Sequence, residues 1–95
     1  MSESIAGKVI IVTGGTSGIG EACVRHFSAG GAKIVCVSVQ EAEGAALEGE
    51  LRGAGREVSF AYCDASDEGD VGRLVWEALA RHGRIDGAMA NAGAW

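Results

Sequence analysis

No apolar run in this chain is longer than four residues, and the sequence contains no proline. A transmembrane helix needs about 20 consecutive apolar residues, so none is predicted. The first four residues, Met1-Ser2-Glu3-Ser4, are polar and acidic and therefore do not resemble a secretory signal. Internal repeats and low-complexity linkers are also absent, so we expect residues 1–95 to belong to one domain.

Basic residues are scarce, with eight Lys and Arg against thirteen Asp and Glu and a net charge of −5. Nucleic-acid binding is disfavoured because no basic stripe is available to displace counterions from phosphates. The apolar content of 47% and charged content of 22% are typical of a soluble globular protein.

Residues that could form disulfides or metal sites are few and poorly spaced. Cys23, Cys36 and Cys63 form no C-x-x-C pair, and each lies in an apolar run. They are predicted to be small buried side chains in a reducing cytoplasm. His26 and His82 have no partner at ligand spacing, so no metal is expected.

Strand and helix patterns alternate along the whole sequence. Short β-branched runs predict strands over 8–12, 32–38, 57–63 and 85–90. Helical patterns lie between them, over 18–29, 40–54 and 66–82, and glycines follow the first and third helices. An unbroken β-α-β-α-β-α-β order requires right-handed crossovers and a parallel sheet. The fold class is therefore α/β, doubly wound.

The helices differ in how clearly their sequences define a buried face. In the first, Ile19, Cys23 and Phe27 recur every four residues and predict the buried side. The second contains Leu47 and Leu51 one turn apart, but three glycines weaken it, each by up to about 1 kcal/mol relative to alanine: Gly44, Gly49 and Gly53. In the third, Ser66 is predicted to be the N-cap of an amphipathic face formed by Val71, Leu74, Val75, Ala78, Leu79 and His82.

The most informative segment is Thr13-Gly14-Gly15-Thr16-Ser17-Gly18-Ile19-Gly20, which leaves the first strand and opens the first helix. Glycines allow the backbone to turn sharply and approach an anion, and the first N–H groups of the helix point toward it. The spacing G-x-x-x-G-x-G differs from the commoner G-x-G-x-x-G fingerprint. With a strand before it and a helix after it, the segment predicts a phosphate site, and a dinucleotide is the expected ligand.

The chain resembles the ordinary branch of the short-chain dehydrogenases/reductases from about Gly7 to Gly93. The resemblance depends on the glycine segment, on Cys63-Asp64 at the end of the third strand, and on Asp86 followed by Asn91-Ala92-Gly93. It implies a Rossmann-type sheet with strand order 3-2-1-4, two helices on one face and the third on the other. The fourth strand would then be an open edge that invites association, and we expect the isolated chain to be marginally stable or to aggregate.

The resemblance also assigns roles in binding NAD or NADP. The residues implied to line the pyrophosphate and the adenosine ribose are Gly14, Thr16, Ser17, Gly18 and Ile19. Gly20 would allow the first helix to pack closely on the strand. Asp64 and the Ala65 backbone would contact the adenine, although Asp64 is open to a second interpretation as a helix cap. Asn91 would lie beside the ribose at the end of the fourth strand, and Gly93 is also implied to bind the cofactor. At the position before Asn91 the family usually has a second Asn, whereas this chain has Ala90.

Cofactor preference depends on the residue that ends the second strand, which here is Ser38 in Ser38-Val39-Gln40-Glu41. An acidic residue would bind the 2′-hydroxyl of NAD, and a basic one nearby would accept the 2′-phosphate of NADP. Neither is present. With Glu41 near and no cation recognised, the charge pattern favours NAD weakly.

The catalytic residues implied by the family have no counterpart in these 95 residues. Tyr62 is followed four positions later by Ser66, and the only lysines are Lys8 and Lys33, so there is no Tyr-x-x-x-Lys. The chain is therefore interpreted as the N-terminal cofactor-binding portion of an oxidoreductase that acts on an alcohol or carbonyl. We expect these 95 residues to be inactive alone. A homo-oligomer is expected to be possible for the full-length protein. A non-catalytic nucleotide-binding or subunit-docking module is the alternative, and a degenerate gene product is a third hypothesis.

Overall fold

A computed structural model describes residues 5–14, 16, 18–64 and 67–90 of the chain. Its strands are β1 (Val9–Thr13), β2 (Lys33–Ser38), β3 (Val58–Tyr62) and β4 (Gly87–Ala90). Its helices are α1 (Gly18–Ala29), α2 (Glu41–Gly53) and α3 (Glu68–His82). All seven predicted elements are present, and most bounds agree to within one or two residues.

The four strands form one parallel sheet in the order β3-β2-β1-β4, which confirms the expected doubly wound α/β architecture. In β1, Val12 lies opposite Cys36 of β2 on one side and Met89 of β4 on the other. The chain leaves β1 toward β2 and later returns to pair β4 on the opposite side. The carboxyl ends of β1 and β4 therefore flank the switch point at which ligands bind in such sheets.

Apolar side chains form a core on each face of the sheet, as the resemblance implied. On the first face, α1 and α2 cover the sheet, with Val12, Val24, Ile34 and Leu47 among the buried residues. On the second, α3 contributes Leu74 and Ala78 to a smaller cluster with Ile11, Val35, Val37 and Cys63. Val12 and Val24 are fully inaccessible to solvent.

The prediction of buried cysteines is correct for two of the three, whereas Cys23 is only partly buried. All three are free thiols, and Cys36 and Cys63 are buried. Burial, together with the nearby carboxylates of Glu21 and Glu48, raises the pKa of the Cys36 thiol to about 11, so the thiol stays protonated at neutral pH. The described residues hold no cluster of side chains suited to a metal.

The buried face of α1 was predicted in the wrong register. Ile19 is 73% exposed, and the helix instead buries Gly20, Val24 and Ser28, while Cys23 and Phe27 pack at the edge of the core. The four-residue period is correct but its phase is shifted by one residue. Two of the three buried positions are occupied by small residues, which allow the helix to lie close to the sheet.

In α3, the N-cap and part of the buried face also differ from the prediction. Asp67, rather than Ser66, is the cap, and its Oδ1 accepts hydrogen bonds from the N–H groups of Gly69 (2.9 Å) and Asp70 (3.2 Å). Ser66 lies outside the described residues. Leu74 and Ala78 are buried as expected, whereas an apolar flank of the helix stays partly exposed: Val71, Val75 and Leu79. Gly83 ends the helix with φ +79°, as predicted.

Helix α2 corrects the interpretation of one of its glycines. Gly44 is buried, and a Cβ on it would lie within 2.6 Å of three carbons of the Phe60 ring in β3. In the described part of the chain, no heavy atom lies within 4 Å of the corresponding position on Gly49 or Gly53. Gly44 is therefore required for close contact between α2 and the sheet, whereas the other two only reduce helix propensity.

Asp86 joins the start of β1 to the segment before β4. Its Oδ2 accepts a hydrogen bond from the N–H of Val9 at 2.8 Å, and its own N–H donates to the Val9 carbonyl at 2.8 Å. Arg84 donates to Asp86 Oδ1 from Nε at 3.1 Å and from a terminal nitrogen at 2.5 Å. The hydrogen bonds from Arg84 and then from Val9 hold the pKa of the Asp86 carboxyl below its ordinary value of 3.8.

This lowered pKa predicts a loss of stability in acid. The contribution of ionised Asp86 is fully present above the ordinary carboxyl pKa, and it is lost as pH falls through the lower pKa of the folded chain. We expect Asp86→Asn to unfold at a lower temperature than the wild type at neutral pH. Between pH 5 and pH 2, the unfolding temperature of this variant should fall less than that of the wild type. Thermal unfolding followed by circular dichroism measures both, with Glu77→Gln as the control carboxylate. If the unfolding temperatures of the wild type and of Asp86→Asn fell by the same amount between pH 5 and pH 2, the proposed contribution of ionised Asp86 to stability would be contradicted.

Candidate functional site

The glycine segment forms a turn between β1 and α1 at the carboxyl edge of the sheet. Gly14 has φ +65° and Gly18 has φ +27°, both in the left-handed region that favours glycine. Among the described residues, no heavy atom lies within 4 Å of the position that a Cβ on Gly18 would occupy. The turn therefore leaves open space directly before the first turn of α1, where a helix directs N–H groups without intrahelical partners.

A chain of hydrogen bonds connects this turn to the end of β2. The Thr16 and Ser38 hydroxyl oxygens are 2.8 Å apart, and Thr16 Oγ1 donates to Oε1 of Gln40 at 2.5 Å. The Gln40 N–H in turn donates to Ser38 Oγ at 3.0 Å. The Thr16 hydroxyl has one proton, which it donates to Gln40, so the hydrogen bond between Thr16 and Ser38 must be donated by the Ser38 hydroxyl. Neutral polar groups thus occupy the position that the sequence assigned to selection of the ribose.

Two further contacts define the edges of the site. Thr13 Oγ1 donates to the Met89 carbonyl at 3.2 Å and so joins the carboxyl ends of β1 and β4. Asp64 follows β3 and is exposed, and its N–H donates to Asp70 Oδ2 at 3.2 Å. Because Asp67 caps α3, the second interpretation of Asp64 as the helix cap is wrong. Its contact with adenine stays a prediction.

The structure brings together only part of the predicted binding set. Gly14, Thr16, Gly18 and Ile19 lie in or beside the turn, and Ser38 contacts Thr16. Gly20 is buried in α1, as its packing role requires. Four predicted residues lie outside the described part of the chain: Ser17, Ala65, Asn91 and Gly93. Tyr62 is the last residue of β3, which agrees with its interpretation as a strand residue.

A basic residue near the site was missed by the sequence analysis. Arg25 of α1 borders a cavity of about 230 Å³ that begins at Thr16 and is lined by Glu21, Glu43, Ala46, Leu47 and Glu50. Its guanidinium donates hydrogen bonds to Glu50 and Glu21, which raise the pKa of Arg25, and the bond from Arg25 lowers the pKa of Glu50. The Glu21/Arg25 spacing of four was visible in the sequence, but the contact with Glu50 depends on how α1 and α2 pack.

Comparison with known proteins gives a consistent family match. A sequence model of the family described as short chain dehydrogenase matches residues 8–95. The chain is 44% identical over 93 residues to (+)-borneol dehydrogenase 1 of Salvia officinalis, covering 98% of this chain and 35% of that protein. It thus spans about a third of the length of the curated relatives that it matches.

Solved structures support the same similarity. A short chain dehydrogenase/reductase from Burkholderia phymatum in complex with NAD superposes with a TM-score of 0.87 at 32% identity, covering 92% of this chain and 31% of that one. A metagenomic short-chain oxidoreductase in complex with NADP gives a TM-score of 0.84 at 34% identity, covering 90% and 39%. Related folds therefore bind either dinucleotide.

Proposed function

Because the chain belongs to the short-chain dehydrogenase family, we propose that residues 1–95 are the N-terminal part of an NAD(P)-binding Rossmann domain. The observation that carries this proposal is the left-handed backbone of Gly14 and Gly18, together with the open space beside Gly18 at the start of α1, next to the switch point of the sheet. A diphosphate matches this site because it carries negative charge and accepts several hydrogen bonds from backbone N–H groups. Thr16 and Ser38 then lie where the adenosine ribose would follow.

The charges around the ribose position favour NAD over NADP. Of the described residues, those that line the cavity beside Thr16 include three carboxylates, Glu21, Glu43 and Glu50, and one guanidinium, that of Arg25. The 2′-phosphate that distinguishes NADP adds about two negative charges at neutral pH. Its approach to this surface is therefore unfavourable, whereas the 2′-hydroxyl of NAD can hydrogen-bond to neutral groups such as Gln40.

The reaction proposed for the whole protein is hydride transfer between the nicotinamide and an alcohol or carbonyl substrate. When bound, the dinucleotide supplies or accepts the hydride. Carbonyl reduction also needs a proton donor beside the developing alkoxide. The residues of this chain hold the cofactor but offer no Tyr-x-x-x-Lys for that proton, so we expect the 95-residue chain to bind nucleotide without catalysing turnover. We also expect it to act in the cytoplasm; none of the helices in the described part has the length and hydropathy to cross a bilayer.

Calorimetric titration of the chain with NAD⁺ and with NADP⁺ tests this proposal. We expect saturable binding of both and a lower Kd for NAD⁺, with ADP competing because it carries the diphosphate. Circular dichroism in the same buffer establishes that the titrated sample is folded. A folded chain that binds neither dinucleotide would refute the cofactor role, and a clear preference for NADP⁺ would refute the argument from charge.

A further inference from the structure

Arg25 connects α1 to α2 through two carboxylates. Its Nε donates to Glu21 Oε2 at 2.8 Å within α1. Its two terminal nitrogens donate to the two carboxylate oxygens of Glu50 in α2, at 2.5 and 3.0 Å. A guanidinium can bind an anion through two parallel N–H donors, either from its end or from its Nε side. In Arg25 the end faces Glu50 and the Nε side faces Glu21.

The contact with Glu50 is bidentate, which is also how a guanidinium binds phosphate. Two parallel N–H donors match two oxygens of either anion, so Glu50 and a phosphate group would compete for the same nitrogens. Glu21 holds Nε and thereby keeps the orientation of the guanidinium plane. The side chains are only partly covered by the protein, with 38% of Arg25 and 58% of Glu50 exposed, so an external anion can reach them.

The cavity connects this arginine to the predicted ribose position. Arg25 and Glu50 line the same space of about 230 Å³ as Thr16, whose hydroxyl contacts Ser38 and Gln40 at the end of β2. A 2′-phosphate on a ribose held there would extend toward this cavity. It would meet an arginine that is already paired with Glu21 and Glu50, and one further carboxylate, that of Glu43.

We propose that Glu50 determines cofactor selectivity by occupying the phosphate-binding face of Arg25, so that the 2′-phosphate of NADP is excluded. This inference rests on the proposed dinucleotide site and adds the residue that controls its specificity. Removing the Glu50 carboxylate leaves the terminal nitrogens of Arg25 available while Glu21 still orients them. The chain then gains a 2′-phosphate subsite without any new basic residue.

Glu50→Gln and Glu50→Ala test this assignment by titration with NAD⁺, NADP⁺, ADP and 2′,5′-ADP. We expect affinity for NADP⁺ and 2′,5′-ADP to rise about tenfold, the gain of one charge-assisted bidentate contact, while affinity for NAD⁺ and ADP changes less than about twofold. Glu43→Gln removes one charge from the same cavity without releasing Arg25. Glu77→Gln removes one charge from α3 on the opposite face of the sheet.

Three results would overturn the role of Glu50: no gain in NADP⁺ affinity in either variant, an equal gain in Glu43→Gln, or persistence of the gain in Glu50→Gln combined with Arg25→Gln. Thermal unfolding of each variant identifies losses of binding caused by instability, and we expect little change in the unfolding temperature because the ion pair is exposed to solvent. A folded wild-type chain that binds neither nucleotide would instead refute the dinucleotide site, and the inference with it. Binding of NAD⁺ with unchanged selectivity in the Glu50 variants refutes the inference alone.

Discussion

Replacing Gly44 by alanine is expected to lower the free energy of unfolding by about 1–3 kcal/mol or more, although alanine is the better helix former. The added methyl group would lie within 2.6 Å of three ring carbons of Phe60. The partly buried ring packs against the first-face core, so moving it away from the methyl group would loosen the packing of α2 on the sheet. Chemical denaturation followed by circular dichroism gives the free energy of unfolding.

Gly49→Ala is the matched control because it makes the same substitution in the same helix. No atom lies within 4 Å of the added Cβ, so this variant is expected to gain up to about 1 kcal/mol from helix propensity. Combining Gly44→Ala with Phe60→Leu makes room for the methyl group and should recover part of the loss. Equal and favourable effects at both glycines would show that α2 does not pack as described.

Gly18→Val is expected to weaken NAD⁺ binding roughly ten- to a hundredfold, which corresponds to the loss of one or two hydrogen bonds to a charged group. The valine side chain would occupy the open space before α1 in which the diphosphate is proposed to lie. The left-handed backbone at this residue, with φ +27°, adds strain for a β-branched side chain. Calorimetric titration with NAD⁺ and with ADP measures the loss, and ADP should be affected equally because it shares the diphosphate.

Gly72→Val controls for the cost of a β-branched residue in place of a helical glycine. Gly72 lies in α3 with no atom within 4 Å of its missing Cβ and is remote from the proposed site. We expect this variant to keep the wild-type affinity for NAD⁺. If Gly18→Val remained folded and bound NAD⁺ as tightly as the wild type, the diphosphate could not lie against this turn.

The architecture was predictable from the sequence because local pattern and chain order determine it together. Val9-Ile10-Ile11-Val12 has the composition of a doubly buried strand, and glycines stand at the turns before and after it. Alternation with helices leaves a parallel sheet as the compatible arrangement. The glycine segment is equally local, since the role predicted for it depends on the backbone freedom of a few neighbouring residues.

Features that depend on packing between distant residues could not be predicted in this way. The side of α1 that faces the sheet is decided by which side chains fit there. The four-residue period is compatible with burying either Ile19 and the residues four and eight positions later, or Gly20, Val24 and Ser28, and the structure buries the second set. Gly44 matters only because Phe60 lies against it, and the contact of Arg25 with Glu50 joins two residues 25 positions apart in different helices. The roles of the binding residues themselves stay predictions.

The pairing of β1 with β4 has a consequence for how a nascent chain acquires this sheet. Val9 and Asp86, which hold the start of that pairing, are 77 positions apart, whereas β1 meets β2 after 24 positions, at Val9 and Lys33. Closing the larger loop costs more entropy and requires nearly all of these residues to have been synthesised. On the ribosome, β1 therefore keeps one side open until β4 emerges, and the polypeptide must avoid pairing that side with anything else.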